Sequence, residues 1–174
     1  TYYDRGKTSA NIEEARAIAQ AVMEHAKTNQ ELTLGVAAFS IRQRDSILAQ
    51  LELLRRKDPS CEDFFNAHSS EPFFVKNLEN VQGDERDVIF ISVGYGKTKE
   101  GYLSMNFGPL NREGGERRLN VLITRARLMC EVFANFTAED MDLERSNTEG
   151  VRALKTFLAY AKDRFIETPK PPLG

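Results

Sequence analysis

The chain has 174 residues, 41% hydrophobic and 29% charged, which fits one soluble globular domain and excludes disordered, collagen-like and membrane-spanning classes. Its 24 basic and 26 acidic side chains leave a net charge of −2, so a nucleic-acid partner cannot be held by bulk charge and needs a local basic site. No segment nears the ~18 apolar residues of a membrane span, and the start lacks the order of a signal peptide, so no membrane contact and a cytoplasmic location are expected.

The first strong periodicity runs from Asn11 to Asn29, where Ala15, Ile18, Ala19, Val22 and Ala26 form one helical stripe. Asn11 and Glu14 have the spacing of an N-cap and its capping-box partner. Thr33 to Phe39 is short and apolar and predicts a buried strand. Ser40 then caps a helix whose inner face is read as Ile41, Ile47, Leu48, Leu51 and Leu54. Residues 56–72 carry turn-forming clusters and predict a loop with a helical turn around Phe64 and Phe65.

Phe73 to Asn77 and Val88 to Val93 predict two further strands, the latter apolar throughout, as a central parallel strand should be. Residues 94–116 hold six glycines and read as a long exposed loop. A helix over Glu116 to Leu128, a strand over Cys130 to Phe136 and a helix over Glu149 to Phe165 complete the pattern, before a Pro-rich linker at 167–174. Strands alternating with helices predict an α/β fold: a mainly parallel sheet with helices on both faces and functional residues at the carboxyl ends of the strands.

Cys61, Cys130, His25 and His68 are too scattered for a metal cage, so no metal site is expected and the thiols read as idle. Gly6-Lys7-Thr8 and Gly96-Lys97-Thr98 imitate the end of a phosphate-binding loop, but the glycine required five residues earlier is Thr1 in one case and Ile91 in the other. Neither can close its amides round a phosphate.

Gln82 to Asp87 offers a glycine beside carboxylates. Such a segment either lets the backbone approach a nucleotide while a carboxylate accepts from a ribose hydroxyl, or is a solvated turn. Glu79, Asp84, Glu85 and Asp87 also raise Mg²⁺ nuclease chemistry, yet the lysine two residues beyond a strand carboxylate is missing. Between Arg112 and Arg127, five arginines against two glutamates give a local charge of +3. On a continuous helix Arg118 and Arg125 share one flank, and Asn120 and Arg127 the other. Guanidinium forks suit phosphate oxygens, and they equally suit neighbouring carboxylates.

In order, these segments resemble the second RecA-like domain of Upf1-like superfamily 1 helicases across nearly the whole chain. Phe39-Ser40-Ile41-Arg42-Gln43 is similar to the motif T-P-Y-x-x-Q, Glu79 to Asp87 to motif V (Q-G-x-E-x-D), and Arg117 to Arg127 matches motif VI (R-R-L-N-V-x-x-T-R-A-R). The wording from Asn106 to Arg112 resembles large bacterial multidomain helicases of that branch.

The resemblance implies a RecA-like domain over residues 1–166, without a P-loop of its own, that shares an ATP site with an upstream RecA-like domain. Arg125 is then the arginine finger on the γ-phosphate, Glu85 the ribose acceptor and Gly83 the close backbone approach; Gln82 and Arg118 support them. Ser40, Gln43, Asn77 and Asn80 then face single-stranded nucleic acid, DNA ahead of RNA. ATP with Mg²⁺ is expected to be held mainly by the upstream domain, because Walker A, the Walker B carboxylates and the Tyr-Arg motif are not in this chain. A first residue of Thr reads as an excised piece, and the Pro-rich end suits a downstream nuclease-like domain. The chain departs from the family pattern at Phe39-Ser40, where relatives have Pro-Tyr, and at Asn77 and Asn80, where they have Thr and Ser. The rival reading is a non-enzymatic nucleic-acid-binding or regulatory module that lays the arginine helix against phosphates.

Overall fold

A computed structural model describes residues 10–163. The Pro-rich stretch, the Gly6-Lys7-Thr8 tripeptide and residues 164–165 of the last expected helix lie outside the described residues. Helix α1 spans Ile12–Thr28, strand β1 Leu34–Ala38, helix α2 Ile41–Lys57, helix α3 Glu62–Ala67 and strand β2 Phe74–Asn77. Then follow β3 (Arg86–Ser92), α4 (Gly115–Ile123), β4 (Ala126–Phe133) and α5 (Glu149–Asp163).

Among the described residues the strands form one parallel sheet in the order β2-β1-β3-β4. Leu34, Val36 and Ala38 of β1 with Val88 and Phe90 of β3 turn to one face, against α1, α2 and α3. Ala37 with Ile89 and Ile91 turn to the other, against α4 and α5. Both faces of β1 and β3 are buried, which is why these two strands read as unbroken apolar runs. The result is the α/β, RecA-like architecture that the sequence predicts.

Gly35 is needed where it stands, since the Phe74 ring lies where its side chain would be. Gly115 and Gly150 both press on the Leu110 carbonyl and let the starts of α4 and α5 meet there. Cys61 is buried, and burial pushes the Cys130 thiol up to about 12, which keeps Cys130 protonated at neutral pH.

Four sequence expectations are corrected. The inner face of α2 is Gln43, Ile47 and Leu51, whereas Ile41 and Leu48 are exposed. The Asn11 side chain does accept from the Glu14 N–H, but the Glu14 carboxylate does not return to the cap backbone. Residues 94–114 are no exposed loop: Leu103, Met105, Phe107 and Leu110 enter the core beside α4 and α5.

The fourth concerns the arginine helix, which ends at Ile123, five residues early, with β4 starting at Ala126. The Thr124 hydroxyl donates to the carbonyls of Asn120 and Val121, and the Arg125 N–H turns back to Leu122. That tightened last turn releases the chain, and the Arg86 N–H then takes the Arg125 carbonyl as the first rung of the β3–β4 ladder.

Candidate functional site

The residues singled out by sequence fall at two opposite ends of the sheet. At the amino ends of β3 and β4, the segment 81–85 meets Arg125. Val81 to Asp84 is a turn closed by the Asp84 N–H to the Val81 carbonyl, and Gly83 sits in it at φ +86°, in the left-handed region that glycine tolerates. Nothing lies within 4 Å of where its side chain would be, so the Gly83 backbone is open to a ligand. Gln82 and Glu85 are exposed beside it.

The segment is fastened from below. Lys76 Nζ pairs with Asp84 at 2.7 Å, and the buried Arg86 guanidinium donates to the carbonyls of Pro72 and Glu85 over the Phe74 ring.

Arg125 lies just past α4. Its Nε donates to the Val121 carbonyl at 3.1 Å, and its Nη1 stands 3.9 Å from Glu85 Oε1. One edge of the guanidinium is therefore anchored to its own helix while the other meets a half-exposed carboxylate. A group held this way can reach a phosphate oxygen without rearranging the backbone.

Arg118 does not join it. With the helix ended at Ile123 the shared flank does not exist, and Arg118 Nη1 donates to the carbonyls of Glu113 and Pro109 instead. Arg127 likewise leaves the helix and takes a position the sequence reading did not foresee. Its guanidinium makes two bonds to Glu71, at 2.7 and 2.6 Å, one to Asp87 at 3.0 Å and one to Thr33 Oγ1 at 3.3 Å.

Asp87 in turn accepts from the Thr33 N–H, which with Arg127 holds its carboxyl below the usual range; Arg127 does the same to Glu71. These four side chains tie β4, β3 and the segments before β1 and β2 together beside Arg125. The alternation Arg125-Ala126-Arg127 at a strand start was the available signal, masked by the helical periodicity that precedes it.

The carboxylates weighed for nuclease chemistry are dispersed. Asp84 goes to Lys76, Glu85 to Arg125 and Asp87 to Thr33 and Arg127. Among the described residues no three His, Cys, Asp or Glu side chains gather round a point that could hold a metal ion.

At the carboxyl ends of the strands stand Ser40 and Asn77. Ser40 follows β1 and caps α2, its Oγ accepting from the Gln43 N–H. Asn77 ends β2 and is buried, and its Oδ1 accepts from Nδ2 of the exposed Asn80 at 2.6 Å.

Gln43 is the correction at this end. It is fully buried, with Oε1 accepting from the Asn11 N–H at 2.8 Å and Nε2 donating to the Asn11 carbonyl at 3.1 Å. Its amide spans the backbone groups of Asn11 and does not face outward.

Beside it the buried Glu14 carboxylate accepts from the Ser92 hydroxyl at 2.6 Å and the Gly94 N–H at 2.9 Å. Gly94, at φ +71°, lets the chain pass directly over Gln43. This polar plug joins the starts of α1 and α2 to the end of β3.

Burial pushes the Glu14 carboxyl up to about 7, against the two hydrogen bonds that pull it down. Unfolded, it ionises near its ordinary value of 4.5, so between the two values the folded chain keeps a proton that the unfolded chain has lost. Stability from this group is full below the lower value and is lost as pH rises through the upper. The difference amounts to roughly 3 kcal/mol. The urea midpoint is therefore expected to fall between pH 5 and pH 8, and Glu14→Gln to flatten most of that slope; a flat wild-type profile contradicts the assignment.

Comparison with known proteins adds three findings. A family model described as an AAA domain matches residues 2–137. An uncharacterized ATP-dependent helicase of Mycoplasma genitalium is 35% identical over 161 residues, 90% of this chain and 14% of that protein. Its homolog in Mycoplasma pneumoniae is 34% identical over the same shares. The chain thus spans about one seventh of the length of the curated relatives it matches.

Proposed function

We propose, since this chain belongs to the AAA-domain family that forms the C-terminal region of Upf1-like helicases, that it is one lobe of an ATP-driven motor on single-stranded nucleic acid. The observation that carries this is the meeting of Arg125 with Glu85, two residues after the open Gly83, at the amino edge of the sheet. A nucleotide held mainly by an upstream RecA-like domain would meet this edge as the two lobes close.

Arg125 then reaches the γ-phosphate with its outer guanidinium edge, and Glu85 exchanges that partner for a ribose hydroxyl. Gly83 and Gln82 line the approach, and Arg118 acts only indirectly, by closing the turn at Glu113. As charge develops on the transferred phosphoryl group, the fixed guanidinium stabilises it. Among the described residues no three His, Cys, Asp or Glu side chains gather where a metal ion could sit, and the Mg²⁺ that accompanies ATP is assigned mainly to the upstream domain.

The opposite edge offers Ser40, the start of α2 and Asn80, oriented by Asn77, to a sugar-phosphate backbone; DNA is placed ahead of RNA. The amides and dipole at the α2 N-terminus favour an anion there. The proposed lobe takes in the described residues 10–163 of the expected 1–166 domain, and a partner nuclease-like domain is part of the same proposal. Among the described residues no helix is long and apolar enough to cross a membrane, and the motor is assigned to the cytoplasm.

Half a site predicts half an enzyme. The 174-residue chain alone is expected to release no phosphate from ATP above background, whereas the longest natural chain containing it does, and faster with a single-stranded oligonucleotide present. Turnover by the short chain alone contradicts a shared site.

A further inference from the structure

The segment after β3 crosses the carboxyl end of the sheet and forms a small hairpin before it enters the core. Asn135, just beyond β4, clamps it by accepting from the Lys97 N–H at 2.9 Å and donating to the Lys97 carbonyl at 3.0 Å. Lys97 pairs with Leu103 across the hairpin, Thr98 and Tyr102 share a backbone bond, and the turn closes from the Gly101 N–H to the Thr98 carbonyl. Gly101 sits at φ +81°, the left-handed third loop residue that such hairpins require.

The hairpin carries an aromatic ring into solvent. Tyr102 is 50% exposed, although Leu103 beside it is buried. Arg145 stacks its guanidinium over one face of the ring at 5.2 Å, donates to the Tyr102 hydroxyl at 3.0 Å and donates to the Leu103 carbonyl at 2.9 Å. Arg145 thus holds one face of a ring whose residue stays half exposed.

We infer that Tyr102, backed by Arg145, stacks its other face on an unpaired base of single-stranded nucleic acid. This rests on the proposed nucleic-acid track, which it extends along the same edge. That edge runs from Asn77 on β2 past Ser40 on β1 to the end of β4, three strand spacings of about 4.8 Å, or roughly 14 Å in all. Lys97, at the base of the hairpin, is already paired with Asp140 at 2.7 Å. Stacking on a rigid ring tolerates any base, which suits a motor that must pass over every sequence.

The test is fluorescence anisotropy of a labelled oligo-dT strand with the longest natural chain that carries these residues, free of nucleotide, at several salt concentrations. Tyr102→Ala is expected to weaken binding by about 5- to 150-fold. Tyr102→Phe and Tyr102→Trp should stay within about threefold of wild type, since the ring and not the hydroxyl makes the contact. The slope of log affinity against log salt should be unchanged in all three, because no phosphate contact is removed. Wild-type affinity in Tyr102→Ala, or equal losses in all three variants, overturns the stacking contact while leaving the track intact. Absence of binding by the wild type overturns the track and the contact together.

Discussion

Arg125→Ala, made in the longest natural chain that carries it, is expected to lower ATP turnover by about 10³- to 10⁵-fold. The same variant should fold almost as well as wild type. Its ion pair with Glu85 is long, at 3.9 Å, and the Glu85 side chain is 52% exposed, so the pair contributes at most about 1 kcal/mol. Nucleic-acid affinity should also survive, because Ser40, Asn77 and Asn80 stand at the other end of the strands. Phosphate release and oligonucleotide binding on one preparation check all three statements. Unchanged turnover removes Arg125 from the chemistry, and loss of binding along with turnover points to general damage.

Phe107→Ala is expected to cost about 3–5 kcal/mol of stability, read as a shift in the urea unfolding midpoint. Phe107 is fully buried, stacks on Phe136 with ring centroids 5.4 Å apart and belongs to the cluster under α4 and α5. Asn111 holds the segment in place, accepting from the Phe107 N–H at 2.6 Å and donating to the Met105 carbonyl at 2.8 Å. If residues 94–114 were the exposed loop that their glycines suggest, the same substitution would cost less than about 0.5 kcal/mol. The two accounts differ severalfold, and one denaturation curve separates them.

Residues 94–114 are the segment whose composition and packing disagree most. Its glycines read as punctuation, whereas Leu103-Met105-Phe107 alternate between them with a Gly-containing turn before, a period of two that carries the segment into the core. Helix α1 and strands β1 and β3 were legible because one periodicity ran unbroken and tertiary packing agreed with it. The end of α4 was not, because Leu119, Leu122, Ile123 and Ala126 keep a helical stripe through the point where Thr124 turns its hydroxyl onto the preceding carbonyls.

At the candidate site, Arg125, Glu85 and Gly83 could be named from motif wording, and the fold brings them to one edge. What the wording did not convey is that this is the amino edge. Open α/β sheets more often carry function at the carboxyl ends, and a residue lent to a neighbouring lobe's site is free of that rule. Gln43 differs for a related reason: its motif position implies a ligand, while its amide is committed to the backbone of Asn11, 32 positions away. Arg127 and Glu71 were missed because their pairing joins residues 56 apart, a distance over which no local periodicity reports.

In the proposed motor Arg125 acts on the γ-phosphate in the transition state and not merely on bound nucleotide. The most direct measurement compares the affinity of the longest natural chain for ADP with aluminium fluoride, which mimics the transferring phosphoryl group, against ADP alone, in wild type and Arg125→Ala. The wild type should prefer the mimic by a wide margin, and the variant should lose most of that preference while binding ADP as before. A variant that keeps the full preference for the mimic contradicts the assignment.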